Sequence, residues 1–189
     1  MSDRLLLTGQ SPCHTVYFYQ HIEELTRTVT RFVADGLAVQ QPTFVVARSG
    51  LRHGLVDALG GMGLDVAVAE REERLFLLDA DSALESLRVG GRLDADRART
   101  MIKDMFIRLP EAFRRGPTRV FGEMCGMLWH SGHYLEAMQL EDLDGIWNTP
   151  GITTLCSYSL EQSERSAQDA ICTFHTHRLS TGGALEALV

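Results

Sequence analysis

The chain of 189 residues is 44% hydrophobic and 23% charged, with a formal net charge of −7. These fractions are typical of an ordinary globular protein and argue against a collagen, a coiled coil or a disordered chain. The negative balance argues against direct nucleic-acid binding, which depends on Lys and Arg neutralising phosphates. We expect one domain over residues 1–189.

The hydrophobic pattern alternates between two periods along the chain. Short β-branched or aromatic runs predict strands, and apolar residues at steps of three and four predict amphipathic helices. In the first half, the pattern predicts strands at residues 15–19, 43–47, 64–69 and 75–78, with helices at 22–37, 51–62 and 82–89. In the second half, it predicts helices at residues 94–113, from 124, at 132–143 and at 161–171, with strands at 119–121 and 152–158 and an extended piece at 173–179.

Alternation of this kind predicts an α/β three-layer sandwich with a mainly parallel central sheet. In such sheets, ligands bind beyond the carboxyl ends of the strands. Five polar residues fall at or just after predicted strand ends: Tyr19, Arg48, Asp79, Glu123 and Tyr158. We therefore expect a binding site at this edge of the sheet.

The chain ends and the cysteines indicate the compartment. Residues 1–7 contain only a three-leucine run, too short for a signal peptide or a membrane span. We therefore expect a cytoplasmic protein without membrane association. Four widely spaced cysteines with no C-x-x-C pair then indicate free thiols rather than disulfides or a zinc ribbon.

The first loop of the predicted sheet lacks the features of an ATP site. A P-loop requires G-x-x-x-x-G-K-[ST], because its glycines allow backbone N–H groups to surround phosphate and its lysine neutralises charge. The segment 19–24 has no glycine and no lysine, and it contains Glu23 and Glu24, which would repel a triphosphate. Lys103 is the one lysine of the whole sequence. These features argue against Walker-type phosphoryl transfer.

A central run, together with weaker matches on both sides of it, resembles a known family. The run is Arg119-Val120-Phe121-Gly122-Glu123-Met124, followed by Leu128-Trp129, Gly132, Ala137, Leu140-Glu141 and Trp147-Asn148. The flanking matches are His14, Phe18-Tyr19, residues 32–34, Gly36-Leu37, residues 155–158 and the Cys172-x-x-His175 pair. The pattern is similar to the MEDS domain, the sensory domain of methanogens and methylotrophs named for the dichloromethane regulator DcmR. It covers roughly residues 13–177.

The resemblance implies a RecA- or KaiC-like core without the ATPase apparatus, acting as a sensor for small organic molecules. Family members often carry this domain beside a helix-turn-helix, a histidine kinase or an anti-sigma-type module. Because the resemblance covers nearly all of this sequence, we expect no such module within it. We therefore expect output through a separate histidine kinase, sigma or anti-sigma factor or helix-turn-helix regulator, or through homo-oligomerisation.

Five residues are the candidate ligand contacts: His14, Tyr19, Glu123, Trp129 and Tyr158. Glu123 has two compatible interpretations, a functional carboxylate at a strand end or an acidic residue at a helix start. The preceding Gly122 is expected to permit close backbone approach. Tyr19 and Tyr158 suit a pocket because each has a hydroxyl to satisfy, whereas Trp129 also fits a simple core position.

Cysteine and histidine residues near the end of the chain suggest a metal site as an alternative. Cys172, His175 and His177 form C-x-x-H-x-H, and Cys13, His14 and Cys156 could converge with them from neighbouring strands. Thiolate and imidazole ligands suit zinc or copper. Buried cysteines, however, often behave as small hydrophobic residues. We therefore predict no catalytic residue and no cofactor, with zinc or a nucleotide as the alternatives.

The sequence thus predicts a non-enzymatic signalling domain that binds a small organic ligand at the sheet edge. The alternative is a divergent RecA-like nucleotide-binding protein or enzyme in which Glu123 is the functional carboxylate. A role in transcription regulation would follow from the separate output protein.

Overall fold

A mainly parallel seven-stranded sheet forms the centre of the computed structural model, which describes residues 13–109, 111, 116–162 and 164–188. The strands are β1 Cys13–Tyr19, β2 Thr43–Ala47, β3 Leu75–Asp79, β4 Arg88–Val89, β5 Arg92–Leu93, β6 Thr118–Gly122, β7 Ile152–Ser159, β8 His177–Leu179 and β9 Leu185–Ala187. The sheet order is β3-β2-β6-β7-β1-β8-β9, and β4 and β5 pair separately as an antiparallel ribbon. Within the sheet, β9 alone runs antiparallel to its neighbour.

Helices cover both faces of this sheet. They are α1 Ile22–Ala38, α2 Ser49–Gly61, α3 Val66–Arg71, α4 Ala80–Ser86, α5 Ala95–Ile107, α6 Met124–His130, α7 Tyr134–Asp142 and α8 Arg165–Cys172, with 3₁₀ segments Leu143–Asn148 and Leu160–Gln162. The first three helices pack on one face, which we call face 1, and α4 to α8 pack on the other, face 2. The predicted three-layer α/β sandwich is confirmed.

Alternation along each central strand determines which side chains meet which helix layer, because successive residues of a strand point to opposite faces. On β1, Tyr17 packs on face 1, whereas Val16 and Phe18 pack on face 2. The register pairs Val16 with Cys156 and His14 with Thr154 on β7. His14 and Cys156 therefore both belong to face 2.

One predicted strand is wrong. Residues 64–69 were expected to be extended, but Val66–Arg71 forms helix α3. Asp65 is the reason, because its side chain accepts a hydrogen bond of 3.0 Å from the backbone N–H of Val68 and so caps a helix. The short strands β4, β5 and β9 were not predicted. Helix α5 ends at Ile107, and the rest of the predicted helix at 94–113 includes residues 110, 112 and 113, which lie outside the described residues.

Candidate functional site

Tyr19 and Glu123 meet at the carboxyl edge of the sheet, as their strand-end positions predict. Glu123 accepts three hydrogen bonds from Arg48: from the backbone N at 2.8 Å, from Nε at 2.8 Å and from Nη2 at 2.5 Å. Burial raises the pKa of the neighbouring Tyr19, and the Glu123 charge adds to the effect. Together with Gly126, Ser157 and others, these residues line a cavity of about 100 Å³. Because Arg48 engages both oxygens of the carboxylate, Glu123 is held as an ion-pair partner.

The same edge lacks the geometry of a phosphate cradle. Strand β1 ends at Tyr19 and α1 begins at Ile22, so only two residues connect them. Glu24 in the first turn of α1 accepts a hydrogen bond of 3.3 Å from the backbone N–H of Gln20. A carboxylate therefore lies where an anion would need free donors and positive potential.

Gly122 ends strand β6, and Glu123 follows it directly before helix α6. A Cβ at Gly122 would meet no described atom within 4 Å, so the space beside this glycine is open. A close backbone contact occurs instead at Gly126, where a Cβ would lie 2.2 Å from the carbonyl oxygen of Ser157. Glu123 occupies the N-cap position of α6, but the hydrogen bonds described for its carboxylate all come from Arg48.

The other predicted contacts lie in the interior of face 2. His14 is the second residue of β1, five positions from Tyr19, or roughly 16 Å along a strand. It is fully buried, and its ring centroid lies 4.1 Å from that of His175. His14 and Tyr158 therefore belong to a different site from Tyr19 and Glu123, and a single sheet-edge site containing all of them is wrong.

Four buried side chains define this interior site, which we call the core cluster: His14, Glu141, Cys156 and His175. Its members come from β1, α7, β7 and the segment between α8 and β8. Glu141 Oε2 lies 3.2 Å from His14 Nε2, 3.6 Å from His175 Nε2 and 3.6 Å from Cys156 Sγ. His14 Nε2 lies 3.4 Å from Cys156 Sγ.

Backbone carbonyls orient both imidazoles of the core cluster. His14 Nδ1 lies 2.9 Å from the carbonyl oxygen of Phe174, and His175 Nδ1 lies 2.8 Å from that of Ile171. A carbonyl only accepts, so each Nδ1 bears the proton and donates it. Each Nε2 consequently points into the cluster.

The ionisable side chains of the core cluster shift one another's pKa values. Burial alone would lower the pKa of His14, but the neighbouring Cys156 and Glu141 raise it to about 10. Burial would raise the pKa of Glu141, but His175 and His14 lower it to about 2. A hydrogen bond from Cys125 lowers the pKa of the Cys156 thiol, with His14 contributing. The cluster therefore favours an ionised Glu141 carboxylate beside a protonated His14 imidazole in a dry interior.

Tyr158 and Trp129 pack around this cluster. The Tyr158 hydroxyl donates a 2.6 Å hydrogen bond to Glu141 Oε1, and burial followed by the Glu141 charge raises its pKa well above the ordinary value. Trp129 packs edge-to-face on Tyr158 and on Tyr134, with ring centroids at 6.1 Å and 4.8 Å. Trp129 is thus part of the apolar packing of face 2.

Replacing Tyr158 with Phe should lower the free energy of unfolding by about 1.5–3 kcal/mol, because a buried carboxylate loses its neutral donor. Urea denaturation measures the loss. Tyr134→Phe is the matched control, since Tyr134 is 52% exposed, and it should change the free energy by less than about 0.5 kcal/mol. Equal effects of the two substitutions would contradict the assignment of the Tyr158–Glu141 hydrogen bond.

The predicted C-x-x-H-x-H ligand set is divided by the fold. Cys172 ends helix α8, and His175 follows it and joins the core cluster. His177 lies on β8, where its Nδ1 is 2.9 Å from Thr176 Oγ1 and 3.5 Å from Cys13 Sγ. The extended piece predicted at residues 173–179 is a strand only from His177, and Cys172 before it is helical. His14 and Cys156 do converge with His175, whereas Cys13 lies on face 1.

Sequence reasoning did not assign a site role to Glu141. A signal was available, because Ala137, Leu140 and Glu141 share one face of α7 at steps of three and four. The first two of these are buried apolar residues. An acidic residue on a buried helix face is rare unless it has a partner.

A cavity larger than the one beside Tyr19 lies on face 2, next to the edge strand β3. The sequence pattern did not predict this cavity. It has a volume of about 710 Å³ and lies between β2, β3, α4 and α5. The stacked rings of Phe44 and Phe76, with centroids 4.4 Å apart, form part of its wall. We call it the apolar groove; its apolar lining is Phe44, Val46, Phe76, Leu78, Ala83, Leu87, Met101 and Met105, and its polar lining includes Asp79, Ser82, Arg97 and Thr100.

Comparison with solved structures shows which known folds this chain resembles. A KaiC-like protein from the hyperthermophilic archaeon Pyrococcus horikoshii OT3 superposes with a TM-score of 0.58 at 12% identity, covering 89% of this chain and 70% of that one. The flagellar accessory protein FlaH from Methanocaldococcus jannaschii superposes with a TM-score of 0.57 at 10% identity, covering 96% and 78%. At these identities the likeness extends to the RecA/KaiC-like fold alone.

Comparison of the sequence with known protein families identifies the family of this chain. Curated proteins yield no match to this chain. None of the helices in the described part of the chain combines the length and apolar character needed to cross a membrane. Residues 13–176 match the family described as "MEthanogen/methylotroph, DcmR Sensory domain". The chain therefore belongs to the MEDS family of sensory domains.

Proposed function

We propose that this domain is a non-enzymatic sensor that binds a small, uncharged organic molecule in the apolar groove and passes the signal to a separate output protein. The observation that supports the proposal is the groove itself. Its volume of about 710 Å³ is typical of small-molecule sites, and its aromatic and aliphatic walls, with polar and charged side chains beside them, offer both apolar contact and orienting groups.

The groove suits such a ligand better than the sheet edge does. The edge cavity is about 100 Å³, and its central carboxylate is already satisfied by Arg48. An uncharged organic molecule gains affinity mainly from apolar surface removed from water. Tyr19 and Glu123 accordingly become the second-choice contacts, for a small polar ligand.

Helix α5 offers a route from the groove toward the core cluster. Met101 and Met105 line the groove and also a second cavity of about 20 Å³ that Cys156 borders. A ligand that packs against these methionines acts on the helix between the two sites. Signalling further requires that the ligand bind one conformation or oligomeric state more tightly than another. The output protein would be a histidine kinase, a sigma or anti-sigma factor or a helix-turn-helix regulator.

Methyl NMR of protein labelled with ¹³C-methyl methionine tests the groove directly. Titration with toluene, and separately with dichloromethane, should shift the Met101 and Met105 signals, assigned with Met→Leu variants. Met62 is 59% exposed and lies outside the groove, so its signal should stay fixed. At a concentration of 100 times Kd, the ligand should stabilise the fold by about 2.7 kcal/mol. If neither compound shifts the two groove methyls, an apolar-ligand groove is disproved.

Two variants, each with one alanine replaced by tryptophan, test whether the ligand binds in the groove. Ala83→Trp places a large ring in the groove and should weaken binding at least about tenfold, the equivalent of about 1.4 kcal/mol. Ala58→Trp makes the same change at another half-buried helical position, on α2 over face 1, and should leave affinity unchanged. Equal loss of affinity in both variants would argue for binding elsewhere.

The RecA/KaiC-like fold favours one competing function, nucleotide binding. Adding Mg-ATP to the same labelled protein distinguishes nucleotide binding from the sensing of an apolar ligand. We expect no thermal stabilisation by Mg-ATP, since the two-residue turn after β1 and the Glu24 carboxylate leave no phosphate cradle. Stabilisation together with hydrolysis that is lost in Glu123→Gln would establish the enzymatic alternative instead.

A further inference from the structure

We propose that the core cluster of His14, Glu141, Cys156 and His175 binds one divalent transition-metal ion of the zinc class. The four side chains supply two imidazoles, a carboxylate and a thiolate, each of them an established zinc ligand. Each of the four residues is at most 5% exposed. The site is distinct from the apolar groove and does not depend on the proposed ligand.

The spacing of the ligand atoms fits tetrahedral coordination. Metal–ligand distances of about 2.0–2.3 Å place tetrahedral ligand atoms about 3.3–3.8 Å apart. The four separations described above run from 3.2 to 3.6 Å. All the ligand atoms lie within 4.8 Å of one another. A single ion at their centre would therefore reach all four with small side-chain adjustments.

The surrounding backbone prepares both imidazoles as ligands. Metal-binding histidines usually donate their other ring N–H to a carbonyl or carboxylate, which fixes the tautomer. The carbonyls of Phe174 and Ile171 play this part for His14 and His175. His175 Nε2 is fully buried, points into the cluster and has no hydrogen-bond partner among the described residues. Such an orphaned buried atom needs a partner, and a metal ion is one.

Charge also favours an ion in this position. An ionised carboxylate and a thiolate supply two negative charges, which balance one divalent cation when both imidazoles are neutral. Tyr158 donates to Glu141 Oε1, so a hydrogen bond supports the carboxylate from outside the cluster while Oε2 faces the other three ligands.

The fold gives such an ion a structural role. Its ligands come from β1, α7, β7 and the segment between α8 and β8, which are distant in sequence. Binding would therefore join four segments, and its free energy would add to folding stability.

Cobalt substitution of the 189-residue chain provides the test. Protein freed of metal with a chelator should bind one equivalent of Co²⁺ per chain and develop tetrahedral d–d absorption and a thiolate charge-transfer band. One equivalent of Zn²⁺ should displace the cobalt and raise the Tm above that of the chelated protein. Folded protein, judged by circular dichroism, that takes up neither ion stoichiometrically would disprove the site.

Two matched pairs of variants locate the ligands. Cys156→Ser should abolish the charge-transfer band, and Cys172→Ser should retain it. His175→Gln should weaken Zn²⁺ binding by more than about 100-fold, and His177→Gln should not. The opposite pattern would place the ion on Cys172 and His177 and overturn the assignment. If the cluster variants fail to fold, the stoichiometry, band and Tm shift of the unmodified protein still decide the proposal.

Discussion

Replacing Glu141 with Gln is expected to lower the free energy of unfolding of the chelated protein by about 3–5 kcal/mol, the usual cost of breaking a buried charged pair. Glutamine keeps the shape of the side chain but removes its charge, and its amide group donates where a carboxylate oxygen accepted. Tyr158 then loses a charged acceptor, and His14 loses the closest anion in its surroundings. Urea denaturation with an excess of chelator measures this loss apart from any metal.

Glu136 provides the control on the same helix. Its carboxylate lies 3.5 Å from Arg88 and 3.8 Å from His133, and it is much less buried than that of Glu141. Surface pairs of this kind contribute about 0–1 kcal/mol. Glu136→Gln should therefore change stability by less than about 1 kcal/mol. Similar losses for the two variants would show that the buried carboxylate has no special energetic role.

Much of the fold is visible in the sequence because each central strand has a consistent hydrophobic pattern. Residues 43–47 were predicted as a strand with the observed bounds, since a run buried on both faces is short, apolar and β-branched. Residues 64–69 contain similar residue types, but the capping bond from Asp65 outweighs their strand propensity. The short strand β9 lacks a comparable pattern and depends on pairing with β8.

The sites were harder to predict, for physical reasons. Tyr19 and Glu123 were correctly placed at the sheet edge, because a strand end is a local feature of the chain. The core cluster needs the register between β1 and β7 and the packing of α7 on face 2, neither of which one sequence determines. The apolar groove is lined by residues from β2, β3, α4 and α5, so it too depends on how separate segments pack. Composition therefore contains no signal for it.

The close contact between α6 and β7 predicts that a substitution at Gly126 lowers the stability of the fold strongly. Gly126 lies within α6, and a Cβ there would approach the backbone oxygen of Ser157 to 2.2 Å. A backbone atom of a central strand has little freedom to move, so the helix and the strand would have to separate. Ser157 lies between Cys156 and Tyr158, and such a separation would displace residues in and around the core cluster.

Gly126→Ala is therefore expected to lower the free energy of unfolding by about 3 kcal/mol or more, although alanine is the better helix former by about 1 kcal/mol. Gly122→Ala is the matched control, because its Cβ would enter open space. Alanine in a strand is favoured over glycine, so this control should be neutral or stabilising by up to about 1 kcal/mol. Urea denaturation compares the two. If Gly126→Ala proved as stable as Gly122→Ala, the close packing of α6 on β7 would be refuted.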